Sequence, residues 1–247
     1  MSYRNSVNMI NFKMNIQVAI LAGGLATRLG ELTKHRPKPL VETLHKPFLA
    51  YQLELLRAKG ITDVVLCIGH LGIQIRETFG DGSKYGVHLS YSIEDKPLGT
   101  AGALKNAESL LGNIFFVMYG DSYLFLDFQK VQSYFMSQNK LGLAAVYRNH
   151  DSYDKSNMVV NGNMVTKYSK TEKTKEMVYI DYGASIFRKE ALELVPKNHA
   201  YSLEDLFIRL IKREQLLAFE VNDRFYEIGS PQGLRDFEEF AKGIIKI

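Results

Sequence analysis

The chain has 247 residues, 46% of them hydrophobic, and a formal net charge of +4 spread over mixed signs. That length accommodates one large domain or two small ones, and the charge is too small to argue for a nucleic-acid partner. No run of about 18 apolar residues occurs, so a spanning helix and a membrane partner are not expected.

The first 15 residues, MSYRNSVNMINFKMN, are polar and lack an apolar signal-peptide core. They read as a loose leader, with Met9 or Met14 as alternative starts. QVAILA (17–22) reads as a buried strand and PFLAYQLELLRAKG (47–60) as a helix opened by Pro47 and closed by Gly60. TDVVLCIGH (62–70) is the next strand. It holds the only cysteine, Cys67, which reads as a small buried hydrophobe. One cysteine forms no internal disulfide, which suits a reducing cytoplasm. A short helix (71–82), an alternating strand (87–94), a helix (100–112) and a strand apolar on both faces (113–121) follow, and LGLAAVYR (141–148) continues the series. This alternation predicts an α/β fold built on a doubly wound, mainly parallel sheet.

The second half changes character. MVVNGNMVTKYS (158–169) carries Asn-Gly between two strand-like runs and predicts a hairpin. A strand (178–187), an amphipathic helix (202–215) with Ser202 at its N-cap, strands at 216–221 and 224–229, and a closing helix (230–245) complete the chain. No repeat or clean linker divides it. The reading is one domain over 16–247, with the hairpin as a small lobe to one side.

LAGGLATRLGELTKHRPKPL (21–40) leaves the first strand at the end where such sheets bind ligands. Gly23 and Gly24 allow a ligand close to the backbone, whose N–H groups can cradle phosphate. Arg28 brings a fork suited to phosphate, and Lys38 lies between Pro37 and Pro39. The stretch is neither a Gly-Lys-Ser/Thr phosphate loop nor Gly-x-Gly-x-x-Gly.

At this stretch the sequence resembles the sugar-1-phosphate nucleotidyltransferases. Their signature loop has a Gly-Gly pair, Gly-Thr-Arg and a later Pro-Lys; here Ala26 replaces the glycine before Thr-Arg. DKPLGTAGAL (95–104), FVMYGDSYL (116–124), VYIDYGASIF (178–187) and FYEIGSPQGL (225–234) resemble its further motifs, in family order. The resemblance implies a Rossmann-like fold of the nucleotide-diphospho-sugar transferase type. It implies transfer of a nucleotidyl group from an NTP to a sugar 1-phosphate with release of pyrophosphate, in nucleotide-sugar biosynthesis for cell-surface polysaccharide. Arg28 would then grip the pyrophosphate and Lys38 bridge the α-phosphate and the sugar phosphate. Leu21, Ala22, Gly23, Gly24, Thr27, Gly99 and Thr100 would border the nucleotide. Asp181, Gly183 and Lys170 would line the sugar, with Ser169 replacing the family's Glu before Lys170. Asp121 would hold Mg²⁺.

The second metal ligand, Asp in the family, is Glu227 here, with Asp223 as a competitor. Asp127 reads as a turn residue, and the six histidines show no metal spacing. The Leu-Gly-Thr-Ala-Gly form resembles guanylyltransferases acting on mannose and manno-heptose 1-phosphates. Uridylyl, thymidylyl or cytidylyl transfer to another sugar phosphate or to phosphocholine, and a noncatalytic regulator that binds a nucleotide sugar, remain the alternatives. A homo-oligomer stays open, although the length leaves no room for the carboxyl-terminal β-helix domain of longer relatives.

Overall fold

The computed structural model describes residues 16–24 and 27–244, with Thr27, Arg28 and Ile244 described by their backbone alone. The leader expected over 1–15 lies outside them. Strand β1 (Gln17–Leu21) buries Val18, Ala19 and Ile20 completely, as a strand covered on both faces must. Two dipeptides, β2 (Glu42–Thr43) and β3 (Lys46–Pro47), pair antiparallel, and α1 (Phe48–Ala58) starts directly after Pro47. Then come β4 (Asp63–Ile68), α2 (Gly72–Phe79), β5 (His88–Ile93), α3 (Gly99–Asn106) and β6 (Ile114–Tyr119). This half follows the predicted order.

After β6 the chain makes β7 (Ser122–Tyr123), α4 (Phe128–Met136), β8 (Gly142–Arg148), β9 (Met158–Asn161) and β10 (Met164–Tyr168). It ends with β11 (Tyr179–Arg188), α5 (Leu203–Lys212), β12 (Leu216–Val221), β13 (Tyr226–Glu227) and α6 (Pro231–Ile244). Helix α4 lies in a segment to which the sequence reading assigns no element. Asp127 caps it by accepting the Lys130 N–H at 3.0 Å, and Phe128, Val131 and Phe135 form its buried face.

The main sheet has nine strands in the order β5-β4-β1-β6-β11-β8-β12-β10-β9. β5, β4, β1 and β6 are parallel, while β11 runs antiparallel to both β6 and β8. β12 returns parallel to β8. The predicted hairpin is β9–β10, with Gly162 at φ 57° in its turn, and it forms the far edge of this same sheet. Helices α1, α2 and α4 pack on one face, where Leu53, Ile75 and Phe135 meet Ile20 and Leu66. α3 and α5 cover the other, where Leu104 and Phe207 meet Ala19 and Phe187. That is the doubly wound arrangement. A third cluster sets Phe237 and Ala241 of α6 against Phe48 and Tyr51 of α1 and against Tyr123 and Ile228.

Strand β1 is flanked by β4 on one side and β6 on the other, so the chain's path across the sheet reverses there. Such a reversal leaves a crevice at the carboxyl ends of the strands.

Candidate active site

A cavity of about 290 Å³ opens at that reversal. Leu21, Ala22, Gly23 and Gly24 leave β1 along it. Cys67 of β4, Tyr119 of β6, Gly120 and Asp121 form its floor, and Glu94, Pro97, Gly99 and Thr100 form a wall. These include six of the seven residues expected to border the nucleotide. The seventh, Thr27, and Arg28, expected to grip the pyrophosphate, have side chains outside the described residues.

Lys38 reaches the cavity from a short 3-10 turn (Lys38–Leu40) whose flanking Pro37 and Pro39 are buried. Its Nζ lies 2.8 Å from Asp121 Oδ2, with the two side chains 15% and 27% exposed. Partial burial removes competing water, so this pair is held more firmly than a surface one. Asp121 follows β6 through Gly120, whose N–H donates to Leu21 O at 2.9 Å. From α1, the buried Gln52 donates through Nε2 to Tyr119 O at 2.9 Å and to Ser122 O at 2.7 Å, which braces the turn carrying Asp121. The sequence reading missed Gln52, because a glutamine inside an amphipathic helix carries no local signal.

Glu227 is brought beside Asp121 by the β7–β13 ladder, in which Glu227 faces Ser122 and the Ile228 N–H donates to Asp121 O at 2.9 Å. Its carboxylate accepts the Gly229 N–H and, at 2.7 Å, the Ser230 hydroxyl. A Cβ on Gly229 would lie 2.5 Å from Glu227 Oε2, 3.3 Å from Asp121 Oδ2 and 3.5 Å from Lys38 Nζ. Two carboxylates and the lysine therefore converge on one point that only glycine leaves open. Hard oxygen donors around such a gap suit a small divalent cation. Asp223 is exposed, and its charge acts on the Tyr182 hydroxyl away from this point. Of the two competitors, Glu227 is the one beside Asp121. Among the described residues no group of three or more His, Cys, Asp or Glu gathers, at this point or elsewhere.

Gly99 and Thr100 begin α3, but the first turn of that helix is pinned to the start of α5. The N–H groups of Ala101 and Gly102 donate to Tyr201 O at 2.9 and 3.0 Å, and Thr100 Oγ1 accepts the Leu203 N–H at 2.7 Å. These groups shape the wall more than they offer donors to a ligand. The wall's polar group is Glu94, which sequence reading missed although it stands just before the Leu-Gly-Thr motif. Its Oε2 accepts the Leu98 N–H at 3.3 Å, and burial raises its carboxyl above the ordinary range. Burial also pushes the Cys67 thiol up to about 12, so it stays protonated and acts as packing.

The residues expected around a sugar gather next to Tyr119. Asp181 Oδ2 accepts the Tyr119 hydroxyl at 3.2 Å and Oδ1 accepts the Gly183 N–H at 3.0 Å. Gly183 has φ 91°, and a Cβ there would press on Ser122 and Tyr119. Lys170 Nζ stands 5.9 Å from the centre of the Tyr119 ring, and its charge acts on Asp181. Burial outweighs that charge and raises the Asp181 carboxyl.

The family described as Nucleotidyl transferase matches residues 17–243. The chain is 31% identical over 223 residues to mannose-1-phosphate guanyltransferase 2 of Candida glabrata, covering 86% of this chain and 61% of that one. It thus spans about three fifths of the fungal relative's length. It is 30% identical to the D-glycero-alpha-D-manno-heptose 1-phosphate guanylyltransferase of Campylobacter jejuni, covering 90% of this chain and 98% of that one. Among solved structures, HddC from Yersinia pseudotuberculosis complexed with GMP-PN aligns with a TM-score of 0.77 and 27% identity, over 92% of this chain and 100% of that one. With the signature loop, the crevice and the convergent lysine and carboxylates all within the matched span, the chain belongs to the nucleotidyl transferase family.

Proposed function

We propose that the chain transfers a guanylyl group from GTP to a mannose- or manno-heptose-type sugar 1-phosphate, giving a nucleotide sugar and pyrophosphate. The observation that carries this reading is the convergence of Lys38, Asp121 and Glu227 at the carboxyl ends of β1 and β6. A phosphate oxygen of the sugar 1-phosphate attacks the α-phosphorus, the bond from that phosphorus to the bridging oxygen breaks, and pyrophosphate leaves with the electron pair. The attacking phosphate is already ionised at neutral pH, so the task is to hold two anions together. Lys38 sits where an ammonium meets both phosphates, and Arg28 grips the departing pyrophosphate. Asp121 and Glu227 would hold Mg²⁺, which supplies charge neutralisation across the phosphates. Gly23 and Gly24 keep the backbone close to the nucleotide.

Guanine is favoured by Glu94 and by the names of the relatives. The guanine edge carries N1–H and N2–H₂ side by side, two donors that one carboxylate accepts together. Uracil and thymine flank their single N–H with carbonyls, which a carboxylate repels. We place the reaction in the cytoplasm, feeding cell-surface polysaccharide; among the described residues no helix is long and apolar enough to cross a membrane.

The test is pyrophosphate release with each NTP crossed against a panel of sugar 1-phosphates. GTP with mannose or manno-heptose 1-phosphate is expected to lead. Lys38→Ala is expected to lower turnover by at least about 100-fold with the fold intact, since it removes a charge that holds the reacting phosphates. Near-normal turnover in that variant would remove Lys38 from the reaction.

A further inference from the structure

Helix α3 stands between two cavities. Gly99, Thr100 and Ala103 line the candidate active site. Leu98, Gly102, Lys105 and Ser109 recur at helical spacing, from the residue before the helix to the turn after it, and line a second cavity of about 260 Å³. Lys197 and Asn198 also line it, and from there the chain runs along α3 as a strap. A Cβ on Gly102 would lie 3.0 Å from His199 O, closer than side chains normally tolerate, so glycine at 102 lets the strap approach. The Tyr201 N–H donates to Leu98 O at 2.7 Å, and Tyr201 O accepts the N–H groups of Ala101 and Gly102. The strap that borders the second cavity therefore also holds the first turn of the helix that walls the first.

The second cavity carries surplus positive charge. The Lys105 side chain is only 10% exposed, and its Nζ lies 2.9 Å from the carboxylate of Glu108, which lines the same cavity. Lys197 is exposed, and among the described residues no hydrogen bond or ion pair engages its ammonium or the Ser109 hydroxyl. Two ammoniums thus face one carboxylate, with an unengaged hydroxyl beside them.

We propose that this second cavity is a regulatory site for a phosphate group, free or carried on a small metabolite, and that its occupation strengthens GTP binding through α3. A phosphate has oxygens enough to meet both ammoniums and the Ser109 hydroxyl, and charge assistance makes such bonds strong. Lys105 and Ser109 belong to the helix side of the cavity and Lys197 to the strap, so a bound phosphate ties one to the other. The tie stiffens the wall of the candidate active site before GTP arrives, and GTP then loses less freedom in ordering it. The regulatory half of the proposal rests on the reading of the chain as a guanylyltransferase; the phosphate site itself does not.

The test is calorimetric titration of the full chain with inorganic phosphate and with glucose 6-phosphate. Lys38→Ala weakens phosphate at the candidate active site and is expected to leave binding at the second cavity intact. In that background Lys197→Ala or Ser109→Asp is expected to weaken binding by about tenfold or more, the first by removing a cation and the second by adding a repelling charge. Tighter binding of glucose 6-phosphate would identify a phosphorylated metabolite as the ligand, and tighter binding of inorganic phosphate the free ion. Loss of all binding in Lys38→Ala, with Lys197→Ala alone unaffected, would confine phosphate to the active site and overturn the proposal. For regulation, the tighter of the two ligands is expected to lower the Kd of wild-type protein for GTP by about threefold or more, and to leave that of Lys197→Ala unchanged. No change in the wild type, or an equal change in Lys197→Ala, sinks the regulatory role. A wild type that binds no GTP brings down the guanylyltransferase reading and the coupling with it, while the phosphate titrations still decide the site.

Discussion

The base-binding role proposed for Glu94 and its effect on stability carry opposite signs. Burial raises its carboxyl, so the folded protein favours the neutral form. Its contribution to stability is complete below the unfolded value near 4.3 and is lost as pH rises through the raised folded value. The proposed guanine recognition needs the ionised form. GTP affinity is therefore expected to fall with decreasing pH earlier than an ordinary glutamate would allow. Glu94→Gln is expected to weaken GTP binding, remove that acid limb and raise the melting temperature at neutral pH. Calorimetric titration with GTP across this range checks it. An unchanged acid limb in Glu94→Gln would take the base subsite away from Glu94. The contrast with Lys38 is instructive for what a sequence reveals. Lys38 stands in a fixed motif between two prolines, whereas Glu94 gains its meaning from Gly23 and Gly69, which approach it only in the folded sheet.

At the scale of elements, the start of α5 supports the cavity wall expected to border the nucleotide. Ser202 Oγ accepts the Asp205 N–H at 3.0 Å, and the Asp205 carboxylate accepts the Ser202 N–H at 3.1 Å, a reciprocal capping box. The next residue's N–H holds Thr100, and the preceding carbonyl holds the first turn of α3. Ser202→Ala is expected to cost about 1 kcal/mol. It is also expected to raise KM for GTP while leaving kcat nearly unchanged. Urea denaturation and kinetics on one preparation measure both, and a stability loss with no change in KM would uncouple the cap from the wall. This helix was legible because serine, acidic residues and an apolar stripe announce it locally. β11 was legible as a strand but not in direction, since a strand buried on both faces reads alike whether its neighbours run with it or against it. The strand expected over 224–229 shrinks to Tyr226–Glu227 because Arg224 is drawn into stacking, its guanidinium 4.5 Å from the Tyr153 ring and 4.6 Å from that of Tyr226. Such competition between distant side chains has no signature in local periodicity.

At the scale of the molecule, the third layer fastens the site to the sheet. Phe237 of α6 meets Phe48 at 4.9 Å, Tyr51 at 5.3 Å and Tyr123 at 5.3 Å between ring centres, and is fully buried. Tyr123 and Glu227 belong to the two strands of one small ladder. Phe237→Ala is expected to cost about 3–5 kcal/mol and to loosen that ladder, so activity falls at temperatures where the main sheet is still folded. Comparing circular dichroism melting with the temperature dependence of turnover tests this; coincident curves would mean that the layer and the sheet fail as one. The overall winding was readable because alternating strands and helices specify it. The third layer was not, since the apolar residues of α1 and α6 do not say which helix each will face.

The ladder also sets an order of events during synthesis. Lys38, Asp121 and the whole nucleotide wall up to Thr100 leave the ribosome well before Glu227 and the helix that anchors it. A growing chain can assemble the parallel half of the sheet, yet it lacks one of the two carboxylates until the β13–α6 segment has emerged and docked.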